Sequence, residues 1–282
     1  MIELLTSGFY TSVQDQGRYH FTHYGVPISG AMDQNLAELA NRLVGNHRNE
    51  ALIEMTFIGP KLKFNSSTII AVSAFKAKVF LNGNEEKPNH QISIKSGDIL
   101  EVKNIQSRAY LAISGGLNTE LSLGSRSQYQ FITESSRFKK GDTLSLKTQK
   151  LDFNRQYAAI RFDLSLYEQN TINVYPMPEY KQLDHKQKEY LAQNTFTISN
   201  QSNRMAYQLN EKLDNNLKGI TSKPVMPGTV QLTPEGKLII LMRDAQVTGG
   251  YPRLFQVSVE SLNVLAQKSP NQSIKFSVKK PI

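Results

Sequence analysis

The pattern of apolar and polar residues predicts short β-strands over most of the chain. Between residues 51 and 146, apolar runs alternate with clusters rich in glycine, asparagine and aspartate, the arrangement that strands and their connecting turns produce. The expected strands lie at residues 2–13 with a break at Ser7-Gly8, and at residues 68–72, 78–81, 99–102, 109–113, 158–162, 171–174, 196–199 and 274–278. The predicted fold is therefore mainly β with a few helices.

Helical spacing is clearest in one segment of the first half. Apolar residues recur at i, i+3, i+4 and i+7 from Leu36, Asp33 precedes them as the predicted N-cap, and Gly45 is the predicted end. Two further helices are predicted, one capped by Asp184 and extending to about residue 193, and one at residues 259–266 that ends before Pro270.

A short turn motif recurs along the chain and suggests duplicated lobes. It reads KSGDIL at residues 95–100 and KGDTL at residues 140–144, with a weaker copy, SPNQSI, at residues 269–274. Each copy is predicted to be a tight turn that leads into a strand. With the polar stretch at residues 151–157 as a candidate linker, we expect two β-barrel lobes: residues 1–150, which include one helix, and residues 158–282.

The composition mainly excludes certain kinds of site and segment. The chain of 282 residues is 39% hydrophobic and 20% charged, which is typical of a globular protein. It has no cysteine, which excludes thiol nucleophiles, disulfides and cysteine metal sites. No apolar run reaches the length of a membrane span, and the N-terminus lacks the basic and apolar regions of a signal peptide, so a cytoplasmic location is expected.

The net charge of +9 permits an acidic partner, but the pattern of charges argues against nucleic acid. Lysines occur singly or in close pairs, and the chain has no arginine-rich run and no aromatic RNA-binding motif. We therefore interpret the lysines as a solvated surface, and we expect neither a nucleic-acid nor a membrane partner.

Residues 228–252 hold the main candidate site. They read as strand, turn, strand and loop, and the apolar run at residues 238–242 predicts a strand buried on both faces. Polar residues follow at once, among them Asp244 and Thr248, and then the pair Gly249-Gly250 with Tyr251. Glycines permit close approach of the backbone to a ligand. The alternative is a simple turn in which Asp244 is a capping residue.

Other common site motifs are absent from the sequence. There is no P-loop, no GxGxxG and no GxSxG. His20 and His23 have no third ligand nearby in sequence, so we expect no metal site. Ser125 and Ser127 lack a positioned base and are interpreted as turn or phosphate-contact residues.

Eight collinear segments, taken together, resemble the carboxyltransferase A/B subdomain family, which includes the C-type subunit of 5-oxoprolinase, allophanate hydrolase subunit 2 and part of urea amidolyase. They cover nearly the whole chain: residues 11–18 (TSVQDQGR), 25–33 (GVPISGAMD), 40–45 (ANRLVG), 109–116 (AYLAISGG), 124–127 (GSRS), 202–209 (SNRMAYQL), 227–231 (PGTVQ) and 244–252 (DAQVTGGYP).

The resemblance implies two cyclophilin-like β-barrel lobes and an enzyme subunit. It would act with a homologous B-type subunit and a third, A-type subunit to hydrolyse 5-oxoproline to glutamate with ATP, accompanied by magnesium. The biotin-dependent relatives are less similar in organisation, because this chain has no biotinylation segment, and biotin is not expected. Two alternatives stay open: a regulatory module that sequesters a kinase inhibitor related to the B-type subunit, and a biotin-dependent carboxyltransferase or allophanate hydrolase subunit.

The resemblance also implies site residues. Opening a lactam requires stabilisation of negative charge and an acid or base. We assign the first role to Arg204, acid/base work or orientation to Asp244, and hydrogen bonding to Gln231 and Thr248. The remaining candidates are substrate-binding residues: Asn203, Gly249, Gly250, Tyr251, Asp15, Arg18, Ser29, Asp33, Ser114, Gly115 and Gly116. Asp15 and Arg18 could instead form an ion pair, and Asp33 could serve only as the helix cap.

The chain departs from the family pattern at several of these positions. The family usually reads SDRMGYRL and DRQTTGGYP, so Asn203, Ala206 and Gln208 are substitutions in the first segment, and Ala245 and Val247 in the second. If the missing carboxylate at position 203 is catalytic, this chain is weakly active or inactive. If that carboxylate is structural, the amide of Asn203 can replace it.

Overall fold

The computed structural model describes residues 1–147 and 162–280. The chain divides into two compact units: unit 1 comprises Met1–Arg18 with Ser29–Leu164, and unit 2 comprises Tyr19–Ile28 with Ser165–Ile282. The predicted linker at residues 151–157 and nearly all of the predicted strand at residues 158–162 lie outside the described residues. The lobe boundaries and the cyclophilin-like form of the lobes stay predictions.

Unit 1 contains two antiparallel sheets. Its strands are β1 (Ile2–Thr6), β2 (Tyr10–Gln14), β3 (Leu52–Thr56), β4 (Lys61–Phe64), β5 (Thr68–Ala74), β6 (Lys78–Leu81), β7 (Asn84–Glu86), β8 (Gln91–Ile94), β9 (Ile99–Lys103), β10 (Arg108–Ile113) and β11 (Thr143–Leu144). One sheet has the order β11-β1-β4-β9-β6-β7, and the other has the order β2-β3-β10-β5-β8. The mainly β fold predicted from the sequence is confirmed.

The core of unit 1 lies between these sheets. Alternate residues of both sheets form one buried cluster, for example Leu4 and Leu62 from the first and Ile53 and Leu111 from the second. The helix α1 (Gln34–Leu43) packs against β10 and β5. Its predicted N-cap is confirmed, because the Asp33 side chain accepts hydrogen bonds from the backbone N–H groups of Asn35 and Leu36.

The repeated turn motif has one geometry in all three places. The backbone N–H groups of Lys95 and Lys139 bond to the carboxylates of Asp98 and Asp142, and each aspartate N–H bonds back to the lysine carbonyl. In the weaker copy, Gln272 makes the same two bonds with Ser269. The predicted tight turns are confirmed, and they lead into β9, β11 and the last strand of the chain.

Unit 2 is built on a seven-stranded sheet. Its strands are β12 (Thr171–Pro176), β13 (Phe196–Thr197), β14 (Ala206–Lys212), β15 (Lys223–Pro224), β16 (Thr229–Leu232), β17 (Lys237–Leu241), β18 (Thr248–Gly249), β19 (Arg253–Val257) and β20 (Ser273–Val278). The large sheet has the order β13-β20-β12-β19-β16-β17-β14, and β15 pairs separately with β18. Within the large sheet, only the described pair β12 and β20 is parallel.

Two helices accompany this sheet and match the prediction. Asp184 caps α2 (His185–Gln193) in a capping box with Gln187, and Ser258 caps α3 (Val259–Ala266). The expected burial of residues 238–242 on both faces is wrong in one respect. Ile239 of β17 is only half-buried, because one face of β17, which also carries Lys237, remains partly accessible to solvent.

Candidate functional site

A buried ion pair connects two predicted site residues of unit 2. Arg204 precedes β14 and Asp244 follows β17, and these strands pair antiparallel with Ala206 opposite Leu241. Nε of Arg204 lies 2.7 Å from Oδ2 of Asp244, and Nη2 lies 3.0 Å from Oδ1. Both residues are buried. Such a bidentate, charge-assisted contact fixes both side chains, so Asp244 is more than a turn residue.

Gln231 is a buried hydrogen-bond donor beneath Gly249. It lies on β16 and is 1% exposed. Its amide nitrogen makes no hydrogen bond with the part of the chain that the structure describes. A Cβ atom added to Gly249 would lie 2.4 Å from that nitrogen, so the Gln231 side chain would have to move to admit any larger residue at this position. A buried donor without a partner costs about 1–3 kcal/mol, which a ligand oxygen would offset.

The segment above Gln231 is held by a small sheet. Thr248 and Gly249 form β18 and pair with Pro224 and Lys223 of β15. The carbonyl of Gly250 accepts a hydrogen bond of 2.8 Å from the N–H of Ile220. Thr248 and Tyr251 are exposed and available to a ligand or partner. The short segment of residues 244–249 therefore makes one contact at each end. Asp244 binds Arg204 at its start, and Gly249 lies against Gln231 at its end.

Asn203 has a local role in the backbone. Its side-chain oxygen accepts hydrogen bonds from the N–H groups of Met205, at 2.8 Å, and Ala206, at 3.3 Å. The amide oxygen thus stabilises the turn before β14, and a carboxylate oxygen would accept the same two bonds. This geometry favours the structural alternative for position 203.

In unit 1, Asp15 organises a loop through neutral donors. Its Oδ1 atom accepts hydrogen bonds from the hydroxyls of Ser125 and Ser127, both at 2.7 Å, and from the N–H of Gly17 at 2.8 Å. Its Oδ2 atom accepts from the N–H of Arg126 at 2.6 Å. The hydroxyls of Ser125 and Ser127 are therefore engaged in hydrogen bonds to Asp15, which agrees with their interpretation as turn residues.

Other predicted residues of unit 1 lie around this loop. Arg18 is fully buried and donates to the carbonyl oxygens of Ser122 and Ser127. Ser29 is fully buried in a left-handed backbone conformation, with φ of +57°. Its hydroxyl makes no hydrogen bond with the described residues. A strained serine with a buried, unpartnered hydroxyl is a candidate ligand contact.

Ser114, Gly115 and Gly116 form a separate group. The N–H of Gly115 donates to the side chain of Asn46, and a Cβ atom added to Gly116 would lie 2.5 Å from the side chain of Glu50. The N–H of Ser114 donates to the carbonyl of Ile69, and the carbonyl of Gly116 accepts from the N–H of Lys147, so no hydrogen bond given for the described residues joins this group to Asp15. The structure therefore does not bring this glycine pair to the other candidates of unit 1.

Glu54 and Tyr110, two buried polar side chains next to Asp33, were not predicted from the sequence. Oε2 of Glu54 accepts a hydrogen bond from the N–H of Met32, and the hydroxyl of Tyr110 accepts one from the N–H of Asp33, each at 2.8 Å. Burial, with Glu54 and Asp33 nearby, raises the pKa of Tyr110 well above its usual range. Glu54 interrupts the apolar run LIEMT of β3, and that interruption was a usable signal.

Within residues 1–147 and 162–280 there is no group of three or more metal-binding side chains. No helix in the same part of the chain has the length and apolar character of a membrane span.

Comparison with known proteins identifies the family. The model of the carboxyltransferase domain, subdomain A and B, matches residues 24–278. The chain is 31% identical over 287 residues to the C-type subunit of 5-oxoprolinase from Escherichia coli, a match that covers 98% of this chain and 90% of the relative. A urea amidolyase of Lachancea kluyveri is 44% identical over 130 residues, which cover 45% of this chain and 7% of that protein.

Solved structures agree with this match. The structure of the Kluyveromyces lactis urea amidolyase superimposes with a TM-score of 0.88 at 29% identity and covers 98% of this chain. The urea carboxylase of the same organism gives a TM-score of 0.86 at 28% identity, again over 98% of this chain. This chain spans 18% and 27% of those two solved chains. We conclude that the chain belongs to the carboxyltransferase domain family of subdomains A and B.

Proposed function

We propose that this chain is the C-type subunit of an ATP-dependent 5-oxoprolinase that acts with a homologous B-type subunit and a third, A-type subunit. The observation that carries the proposal is the similarity to a C-type subunit of 5-oxoprolinase along nearly the whole length of both chains. The urea amidolyase match covers less than half of this chain, which supports the biotin-dependent alternative less well.

The proposed reaction opens the lactam ring of 5-oxoproline. ATP phosphorylates the lactam oxygen and ADP leaves. Water then adds to the activated lactam carbon, and the ring C–N bond breaks with its nitrogen protonated as an amine, which leaves an acyl phosphate. A second water hydrolyses the acyl phosphate to glutamate and phosphate. The negative charge that must be stabilised lies on the phosphoryl oxygens.

Three side chains of unit 2 fit these needs. The unpartnered amide nitrogen of Gln231 is a donor for a substrate oxygen. Arg204 supplies positive charge, and Asp244 holds its guanidinium in one orientation through both carboxylate oxygens. Of the two roles considered for Asp244, this geometry favours orientation over acid/base work.

ATP and its magnesium ion are assigned to the assembled complex. The sequence of this chain has no P-loop, and its described residues include no cluster of metal-binding side chains. In this proposal the chain's own residues bind and orient the lactam, while the nucleotide is held with the help of the partner subunits.

The test is reconstitution from three purified subunits. The complete set is expected to convert 5-oxoproline and ATP to glutamate and ADP, whereas this chain alone forms no glutamate. Gln231→Ala should reduce turnover by about 10²–10³-fold, the usual effect of losing one donor to a developing oxyanion. Gln106→Ala is the control, because Gln106 is a half-buried glutamine of unit 1 outside the candidate site, and it should leave turnover unchanged.

No turnover from the complete set, with each protein folded, would contradict the proposal. A stable complex without turnover would then support the regulatory alternative, and activity that avidin abolishes would support the biotin-dependent one.

A further inference from the structure

A second arginine–carboxylate pair of unit 2, with side chains only 12% and 10% exposed, lies next to the segment above Gln231. Nε of Arg253 lies 3.0 Å from Oε2 of Glu179, and Nη2 lies 3.1 Å from Oε1. The backbone N–H of Arg253 also donates to Oε2, at 3.2 Å. Glu179 lies on a 3-10 helix, Pro178–Gln182, so this pair connects that helix to the start of β19.

An irregularity in the sheet places Arg253 opposite Gln231. Val230 pairs with Phe255, but Gln231 pairs with Arg253, which leaves Leu254 as the extra residue of a β-bulge. Bulges redirect neighbouring side chains and often occur beside functional sites. Because of this bulge, the residue that carries the ion pair is the direct cross-strand neighbour of the buried donor.

The same arginine faces the small sheet that holds the glycine pair. Nη1 of Arg253 is 3.5 Å from the carbonyl of Pro224, a weak contact to β15. On either side of that strand, Val225 N–H donates to the Val247 carbonyl at 3.0 Å, and Ile220 N–H donates to the Gly250 carbonyl at 2.8 Å. Arg253 thus joins the 3-10 helix, β19 and β15 around the segment from Thr248 to Gly250.

We propose that Glu179 and Arg253 are positioning residues that hold Thr248, Gly249 and Gly250 over the amide of Gln231, and so set how tightly a small ligand binds there. Neither residue contacts the ligand in this assignment. The pair acts by keeping the backbone of the segment close against the Gln231 side chain. The kinetic consequence rests on the function proposed above, whereas the structural consequence does not.

The structural test is hydrogen exchange at single amides of the full chain. Glu179→Gln should accelerate exchange at least about tenfold at Ile220 and Val225, because their acceptors, the carbonyls of Gly250 and Val247, lie at the end of the released segment and directly before it. Glu179→Asp, which keeps the charge, should produce a smaller effect. The matched control is Glu101→Gln in unit 1, which removes pairs with Lys61 and Lys103 and should leave both amides unchanged.

Unchanged exchange at Ile220 and Val225 in Glu179→Gln would overturn the proposal. Equal acceleration throughout unit 2, including the amides of β17, would also overturn it, because it would show a general structural role.

The kinetic test uses the reconstituted enzyme of three subunits. Glu179→Gln should raise KM for 5-oxoproline about tenfold, which corresponds to about 1.4 kcal/mol of binding free energy. The value of kcat should stay within about threefold of the original, because the pair affects binding and not the chemical step. An unchanged KM in an active complex would overturn this inference alone. An inactive wild-type complex would instead contradict the proposed function, and the hydrogen-exchange result would still decide the positioning role.

Discussion

Two carboxylates of this chain, the half-buried Asp15 and the buried Asp244, are held in opposite ways. Asp15 in unit 1 accepts hydrogen bonds from two hydroxyls and two backbone N–H groups, all neutral. Asp244 in unit 2 is bound on both oxygens by one guanidinium group. Three of the four neutral donors come from residues 125–127 and the fourth is Gly17, whereas the guanidinium connects two strand ends.

The two kinds of donor indicate a different role for each carboxylate. Four neutral donors stabilise the negative charge of Asp15, and the same hydrogen bonds hold the backbone of the loop in place. The role of Asp15 is therefore structural. The guanidinium instead confines a pair of opposite charges at one place in a protein interior, where an electrostatic contact with a ligand is strongest. Asp244 with Arg204 is therefore the better candidate for chemistry, and the predictions below test this contrast.

The largest effect is expected from Arg204→Met. It leaves the Asp244 carboxylate buried without its cation, which costs about 3–5 kcal/mol of unfolding free energy. Urea unfolding at neutral pH measures this loss. Arg42→Met is the control, because it removes an exposed helical pair with Glu38 that contributes about 0.3–0.5 kcal/mol. Equal losses of unfolding free energy in Arg204→Met and Arg42→Met would contradict a special role for the buried pair.

A smaller loss is expected from Asp15→Asn. The new amide nitrogen cannot accept a hydrogen bond, so at least one donor of the loop loses its acceptor, at about 1–3 kcal/mol. Urea unfolding again provides the measurement. Asp142→Asn changes a solvent-exposed turn contact with Lys139 and should stay within about 0.5 kcal/mol. A loss larger than that of Arg204→Met would reverse the comparison.

Changes at Asn203 should be smaller still. Asn203→Asp keeps an oxygen for the N–H groups of Met205 and Ala206 and should alter stability by less than about 0.5 kcal/mol. Asn203→Ala should cost about 0.5–1.5 kcal/mol through the lost turn bonds. Turnover by the reconstituted complex should be the same with Asn203→Asp. A gain of about tenfold, or about 1.4 kcal/mol of barrier, would show that a carboxylate there is catalytic.

The smallest effect is a pH dependence at the second guanidinium-bound carboxylate. Burial opposes the charge on Glu179, but hydrogen bonds from the side chain and backbone of Arg253 outweigh it and lower the pKa of Glu179. A lowered pKa adds stability when the group is ionised, and that stability is lost as the pH falls through the lowered value. The difference in Tm between wild type and Glu179→Gln should therefore shrink below about pH 4. A constant difference would mean that the ionised form is not favoured by folding.

The interactions that could be predicted from the sequence are those between residues close together along the chain. The N-caps Asp33 and Asp184 were predictable because a cap bonds to N–H groups two or three residues away. The polar residues after β17 marked a candidate site for a similar reason, since they follow a strand directly. The sequence could not show that Gly249 lies over Gln231, because that contact requires β18 to fold back across β16. Nor could it show that Arg253 faces Gln231, which depends on a bulge.

The helices, the three equivalent turns and the mainly β character of the chain could be predicted from the sequence, because propensity, capping and alternation act over a few residues. The tertiary structure decided which charges meet. Asp15 and Ser125 are 110 residues apart, Glu179 and Arg253 are 74 apart, and Arg204 and Asp244 are 40 apart. Alternation fixes the face of a strand on which a side chain lies, but strand order and register select its neighbour, and both are set only when the whole sheet assembles.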